Sequence, residues 1–332
     1  MKRYIGYLRH AMEMFKYFAL SLVHGRDLKL VIDNSNRIKQ GDLLLFCTLR
    51  NESKRIKYFI EYYKNLGVDH FIFVDNDSED NFQEIIKNYS DITVYHTKAS
   101  YKKSNFGMHW LNFLLRKHGN NHWCITCDPD EFLVVPNEDE RSVSRLVNYL
   151  DETARRSFFT IMIDMYGKDS PSNTFYTEGM DPLSICKFYD KEGYFFTENP
   201  EMNSLWIQGG VRMRKLYKKQ PYKAPALNKT PLVKWKWYYS YISSMHTLLP
   251  RRLNGGYKYS LTGALLHFKY VSLLIKKVEE EQVRKQHYGN SSEYQGYKTF
   301  LDEEFYHEFI SQEYRDYKDL LDAGLITNRE WL

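Results

Sequence analysis

The chain has 332 residues, 43% hydrophobic and 27% charged, enough for one large soluble domain or two small ones. No apolar run approaches the roughly 18 to 20 residues that a membrane-spanning helix needs. The formal net charge of +5 is unevenly placed: residues 1–40 hold eight Lys or Arg against Glu13, Asp27 and Asp33, and Met202 to Val278 holds fifteen Lys or Arg with no Asp or Glu. An acid-free stretch of that length predicts a face that meets anions: phosphates, an acidic glycan or nucleic acid.

MKRYIGYLRHAMEMFKYFALSLVHG (1–25) has helical apolar spacing, with Tyr4, Leu8, Met12, Phe15, Leu20 and Val23 near one side and a mostly basic polar side. Two readings stand: a helix lying on an anionic membrane surface, or one packed on the following domain. His10, Glu13 and Lys16 interrupt the apolar residues, so no signal-peptide core forms and the chain reads as cytoplasmic, with inner-membrane contact through this helix as an expectation. DLLLFCTL (42–49) is a continuous apolar run, as expected of a strand buried on both faces. Glu52 to Leu66 reads as a helix ended by Gly67. A second strand ends in DNDSED, a second helix falls at NFQEIIKNYS and a third strand at DITVYH. A helix follows over 105–118, and HWCITC is a fourth strand. This alternation predicts an α/β fold whose mostly parallel sheet is flanked by helices. Ligands in such sheets bind at the carboxyl ends of the strands.

Cys124 and Cys127 sit at spacing three on the fourth strand, so their thiols point to opposite faces. With no second CxxC or nearby His pair to complete a zinc site, all four cysteines read as buried structural thiols. Beyond Pro136 the rhythm breaks. SFFTIMIDMYG (157–167) reads as a strand, the region to about 245 is aromatic and loop-rich, and 271–318 carries helical charge patterning.

The chemistry concentrates in DPDEF, which follows the fourth strand. Adjacent acids repel and raise one another's pKa unless a cation is present. Asp128 and Asp130 place two carboxylates on one turn, a hard-oxygen arrangement that suits Mg²⁺ or Mn²⁺ shared with substrate phosphates. A metal there would act as a Lewis acid on a departing diphosphate. A lone DxD is weak evidence; three strand ends at this spacing are stronger.

TLRNESKRI (48–56), LGVDHFIFVDNDSED (66–80) and CDPDEFL (127–133) together resemble family 2-type glycosyltransferases of the GT-A fold, nearest to a bacterial subgroup with an RNE element. GGVRMRKLY (209–217), LNKTPLVKW (227–235), SSMHTLLP (243–250) and GALLHFKY (263–270) extend the likeness over roughly residues 43–320. The resemblance implies a hexosyl- or N-acetylhexosaminyltransferase. It would use a nucleotide-diphosphate sugar, UDP-sugar favoured, and a glycan or lipid-linked glycan acceptor of a surface polysaccharide or lipopolysaccharide. It divides the chain into a basic extension (1–40), a GT-A domain (41–270) and a C-terminal helical region (271–332).

Residue by residue, it places Thr48, Arg50, Glu52, Asp75, Asp77 and Asp128 at the nucleotide sugar, and Asp128 and Asp130 at the metal. Asp75 has an alternative reading as a turn residue with Asn76 and Ser78, and Glu131 as a group behind the metal. His246 is preferred over His267 as a further metal ligand or phosphate contact. Arg212, Arg214, Lys229 and Lys234 are candidates for the diphosphate or an acidic acceptor. An inverting transfer needs a base for the acceptor hydroxyl. Related enzymes carry that acid well after the DxD, where this chain has none, which leaves Asp164, then Glu198, with Asp190 and Glu201 behind.

Two rival classes remain. A nucleotidyltransferase would open with a Gly-rich phosphate loop, and TLRNESKR has no Gly. A nucleic-acid-binding module would use Trp235, Trp237, Tyr238 and Tyr239, interleaved with Lys234 and Lys236, as a stacking surface. It leaves the DxD unexplained, so no nucleic-acid partner is expected.

Overall fold

The computed structural model describes residues 2–137, 143–286 and 296–331. A nine-stranded mixed sheet forms its centre. The strands are β1 (Lys29–Ile32), β2 (Leu43–Leu49), β3 (His70–Asp75), β4 (Ile92–His96), β5 (Trp123–Thr126), β6 (Glu131–Val134), β7 (Ser157–Asp164), β11 (Asn228–Lys234) and β14 (Gly263–His267). Their order is β1-β4-β3-β2-β5-β11-β7-β14-β6. β2, β3, β4, β5, β7 and β14 run one way, and β1, β11 and β6 run against them. The mostly parallel α/β sheet expected from the βα alternation is present.

Every residue of β2, β3 and β5 is buried. The pleat sorts them. Leu43, Leu45, Cys47 and Leu49 enter one core with Phe59, Tyr63 and Phe132, whereas Leu44 and Phe46 enter a second with Trp110, Leu114 and Trp235. Cys124 and Cys127 fall in the second and first core respectively, as their spacing requires, and all four cysteines are buried and free. α2 (Ser53–Asn65) covers the first face and α4 (Met108–His118) the second. Gly67 has φ +100°, the left-handed backbone that closes α2 without strain.

α1 (Lys2–Gly25) packs across α4. β1, inside the segment set apart as an extension, forms the sheet edge beside β4.

The C-terminal region departs from its helical pattern. α7 (Leu273–Arg284) and a turn at 296–300 are helical, but 301–316 is turns and a short strand, Ser311–Glu313, paired with Phe188–Asp190. Phe305 is buried while Phe309 is 74% exposed, so the apolar repeat 301, 305, 309 has no continuous surface to cover. Residues 287–295 of that pattern, and the Tyr4 side chain, lie outside the described residues.

Candidate active site

The three motif-bearing strand ends converge. Thr48, Leu49 and Arg50 at the end of β2, Asn76 after β3, and Asp128, Pro129 and Asp130 after β5 line a cavity of about 190 Å³. β14 delivers His267 to it, and α7 closes it with Leu274, Lys277, Glu280 and Arg284.

Sheet register builds the innermost part. His267 lies opposite Asp164 on parallel β7 and opposite Glu131 on antiparallel β6. Its Nδ1 is 2.6 Å from Asp164 Oδ1, and its Nε2 is 3.6 Å from Asp130 Oδ2. Arg212 donates to the same Asp164 oxygen at 2.6 Å. Burial opposes charge on Asp164, yet Arg212 and His267 outweigh it and bring its pKa down to about 2. Burial also opposes a charged His267, but the carboxylates of Asp130 and Asp164 hold its pKa above the ordinary imidazole value. Asp130 is in turn held well below the usual carboxylate range: burial works against its ionisation and His267, Arg55 and Lys277 overcome that.

Asp128 differs. Burial, then the neighbouring carboxylates of Glu131 and Asp130, push its pKa up to about 7, although its side chain is still 42% open to water, which tempers the effect. Its nearest cation is Lys229, 3.9 Å away and engaged with Glu131 at 2.8 Å. Two adjacent carboxylates, one short of countercharge, are what a divalent cation would relieve. No cluster of three or more His, Cys, Asp or Glu able to hold a metal occurs among the described residues. The donor set therefore fits a hard cation only where waters and substrate phosphate complete the shell.

The pocket wall is laced by ion pairs. Arg50 donates to Glu280 and to Glu79, each at 2.7 Å, and to the Asn76 carbonyl at 2.9 Å. Lys277 pairs with Glu52, which Arg55 also holds at 3.0 Å. Lys269, Lys277 and Arg284 escaped the sequence reading. Only the fold brings α7 over strand ends that lie far earlier in the chain, although LLIKKVEEEQVR did show the amphipathic spacing that buries Leu274 and Val278.

Several expected site residues lie elsewhere. His246 faces the Asn228 carbonyl at 2.6 Å, does not line the pocket, and is pushed down to about 3 by burial and by Lys229. His267, the second choice, does line the pocket. Asp75 is buried, accepting from the Ser78 amide at 2.9 Å and from Gln83, the turn arrangement that was its alternative. Asp77 reaches out toward His96 and Lys98. Glu198 is exposed on the hairpin of β9 (Tyr194–Asn199) and β10 (Ser204–Gly209), away from the pocket.

Distant carboxylates claim much of the acid-free stretch. Arg212 pairs with Asp164, Arg214 with Asp190, Lys229 with Glu131, Lys234 with Asp151, Arg251 with Glu13 and Lys277 with Glu52. No stacking surface forms at 235–239: Trp235 and Tyr239 are buried in the second core, and only Trp237 of the two tryptophans is exposed.

The family model described as glycosyltransferase family 92 matches residues 46–252, more than half of the chain and all three strand ends. The numbering differs from the family 2-type grouping that the motifs resemble; the likeness holds for the glycosyl-transfer class and not for family 2. No curated protein matches the chain. A crystal structure of mannose-6-phosphate isomerase from Helicobacter pylori overlaps 56% of this chain and 68% of its own, at 13% identity and a TM-score of 0.26. That similarity is too low to bear on fold or function.

Proposed function

The chain belongs to glycosyltransferase family 92, and from that premise we propose that it moves a hexosyl or N-acetylhexosaminyl group from a nucleotide-diphosphate sugar, UDP-sugar favoured, to a glycan or lipid-linked glycan hydroxyl with Mg²⁺ or Mn²⁺. The observation that supports this reading is the meeting of Thr48, Arg50, Asn76, Asp128 and Asp130 around one cavity at the carboxyl ends of parallel strands. A Gly-free first loop and the family match leave the nucleotidyltransferase reading without support.

The roles follow from the contacts. Asp128 and Asp130 would hold the cation, which when bound supplies Lewis-acid stabilisation of the departing diphosphate. Arg50, Lys269, Lys277 and Arg284 line the same wall as cations for the phosphates. Arg50 and Lys277 are satisfied by Glu280 and Glu52 in the structure, so a diphosphate would exchange one anionic partner for another rather than meet bare charge.

Asp164 is better suited to positioning than to proton abstraction: it is buried, strongly acidic and gripped by Arg212. With Arg212 it fixes the His267 ring, which faces Asp130. Proton removal from the acceptor is thus assigned neither to Asp164 nor to Glu198. Inversion, and a surface polysaccharide or lipopolysaccharide acceptor, extend the reading from the motif resemblance.

The test is transfer from radiolabelled nucleotide sugars to a lipid-linked glycan acceptor, with Mn²⁺ or with chelator. Transfer from one donor, stopped by chelator and by Asp128→Asn, is expected. Equal transfer in chelator, or none from any nucleotide sugar, sinks the reading.

A further inference from the structure

α1 is packed on one side only. Its Tyr17 and His24 rings lie against His109, Phe18 meets Trp237 edge-on, Ser21 accepts from Arg116 and Gly25 sits hard against the Phe113 ring. At about 100° per residue these positions share one arc of the helix. The opposite arc carries Leu8, Met12, Phe15, Leu22 and Val23, which are 63%, 70%, 71%, 44% and 57% exposed. A row of large apolar side chains left in water along one helix is an interaction surface, not ordinary surface scatter.

Charge narrows the partner. Arg9 and Lys16 are exposed on the flank of the apolar row. The only carboxylate of the helix, Glu13, is turned inward to Arg251 at 3.0 Å. The outward face therefore presents apolar groups and cations with no anion. A second copy would set such a face against itself, cation against cation, which like-charge repulsion disfavours. A nucleic acid would leave the apolar row unused. No helix among the described residues is long and apolar enough to cross a membrane, so the face can lie on a bilayer but not span it.

We infer that this face of α1 docks on an anionic lipid bilayer, with Leu8, Met12, Phe15, Leu22 and Val23 immersed and Arg9 and Lys16 at the headgroup phosphates. The inference is read from the helix alone and stands apart from the glycosyl-transfer reading.

The test is sedimentation of the full chain with vesicles of phosphatidylcholine alone and of phosphatidylcholine mixed with phosphatidylglycerol. Wild type pellets with the anionic vesicles and far less with the neutral ones. Arg9→Gln and Lys16→Gln each weaken binding roughly fivefold. Met12→Glu with Phe15→Glu abolishes it while the melting temperature stays at the wild-type value, because these side chains point away from the body. Three results overturn the proposal: wild type left in the supernatant with both vesicles, the double variant binding as wild type does, or a wild-type dimer in light scattering that the double variant converts to monomer.

Discussion

Asp164→Asn tests the inner network by its pH dependence. Asp164 is 4% exposed, and Arg212 and His267 share its Oδ1 at 2.6 Å. Its pKa of about 2 in the fold lies below the roughly 3.9 of an unfolded aspartate, and that gap corresponds to roughly 2 to 3 kcal/mol. The sign follows from the depressed folded value: this stabilisation is complete above about pH 4 and is lost as pH falls toward about 2. At neutral pH the substitution also removes the buried carboxylate charge that Arg212 and His267 share, so the total cost should reach about 3 to 5 kcal/mol. Urea denaturation of wild type and variant over a pH series measures the difference directly, and other carboxylates cancel to first order. The stability gap should be largest near pH 7 and narrow by roughly 2 to 3 kcal/mol toward pH 2. A gap that does not change with pH, or one under about 1 kcal/mol at neutral pH, would refute the network.

Three further outcomes follow. Lys277→Met should weaken nucleoside-diphosphate binding roughly tenfold by calorimetry while leaving the fold intact, because Arg55 still pairs Glu52; unchanged affinity would remove α7 from the binding wall. Gly209→Ala should destabilise by roughly 2 kcal/mol or more in thermal melts. Gly209 has φ +147°, and a Cβ there runs into the Gly193 carbonyl just before α6 (Gly210–Leu216), which carries Arg212; a neutral melt would contradict this. Glu198→Gln should leave kcat within about twofold of wild type, since the residue lies on the exposed hairpin outside the pocket; a collapse of kcat would return it to the catalytic candidates.

The sheet and the mouth of the site were legible because each rests on local pattern. The short apolar runs at 43–49 and 71–74 match strands buried on both faces, and the polar residues directly after them fall at strand ends. The innermost site was not legible, because register places it. His246 and His267 look alike in sequence, both in acid-free surroundings. What separates them is that β14 pairs with both β7 and β6, which sets His267 beside Asp164 and Glu131. The basic stretch misled for the same reason. Arg212, Lys229 and Lys234 find their carboxylates 48, 98 and 83 positions away, so their pairing is invisible along the chain. β11 and β14 themselves lie in a region whose aromatic, Pro-containing sequence carries little strand periodicity.

The central claim is that the Asp128–Asp130 pocket binds a nucleoside diphosphate together with a divalent cation. Thermal unfolding with UDP, GDP, CMP and ADP, each with Mn²⁺ or with chelator, tests it on wild type and Asp130→Asn. Ligand at about a hundredfold over its Kd adds roughly 2.7 kcal/mol of stability. The account predicts a clear rise in Tm with one diphosphate, dependent on Mn²⁺ and absent in the variant. A rise that survives both chelator and Asp130→Asn, or none with any nucleotide, would contradict it.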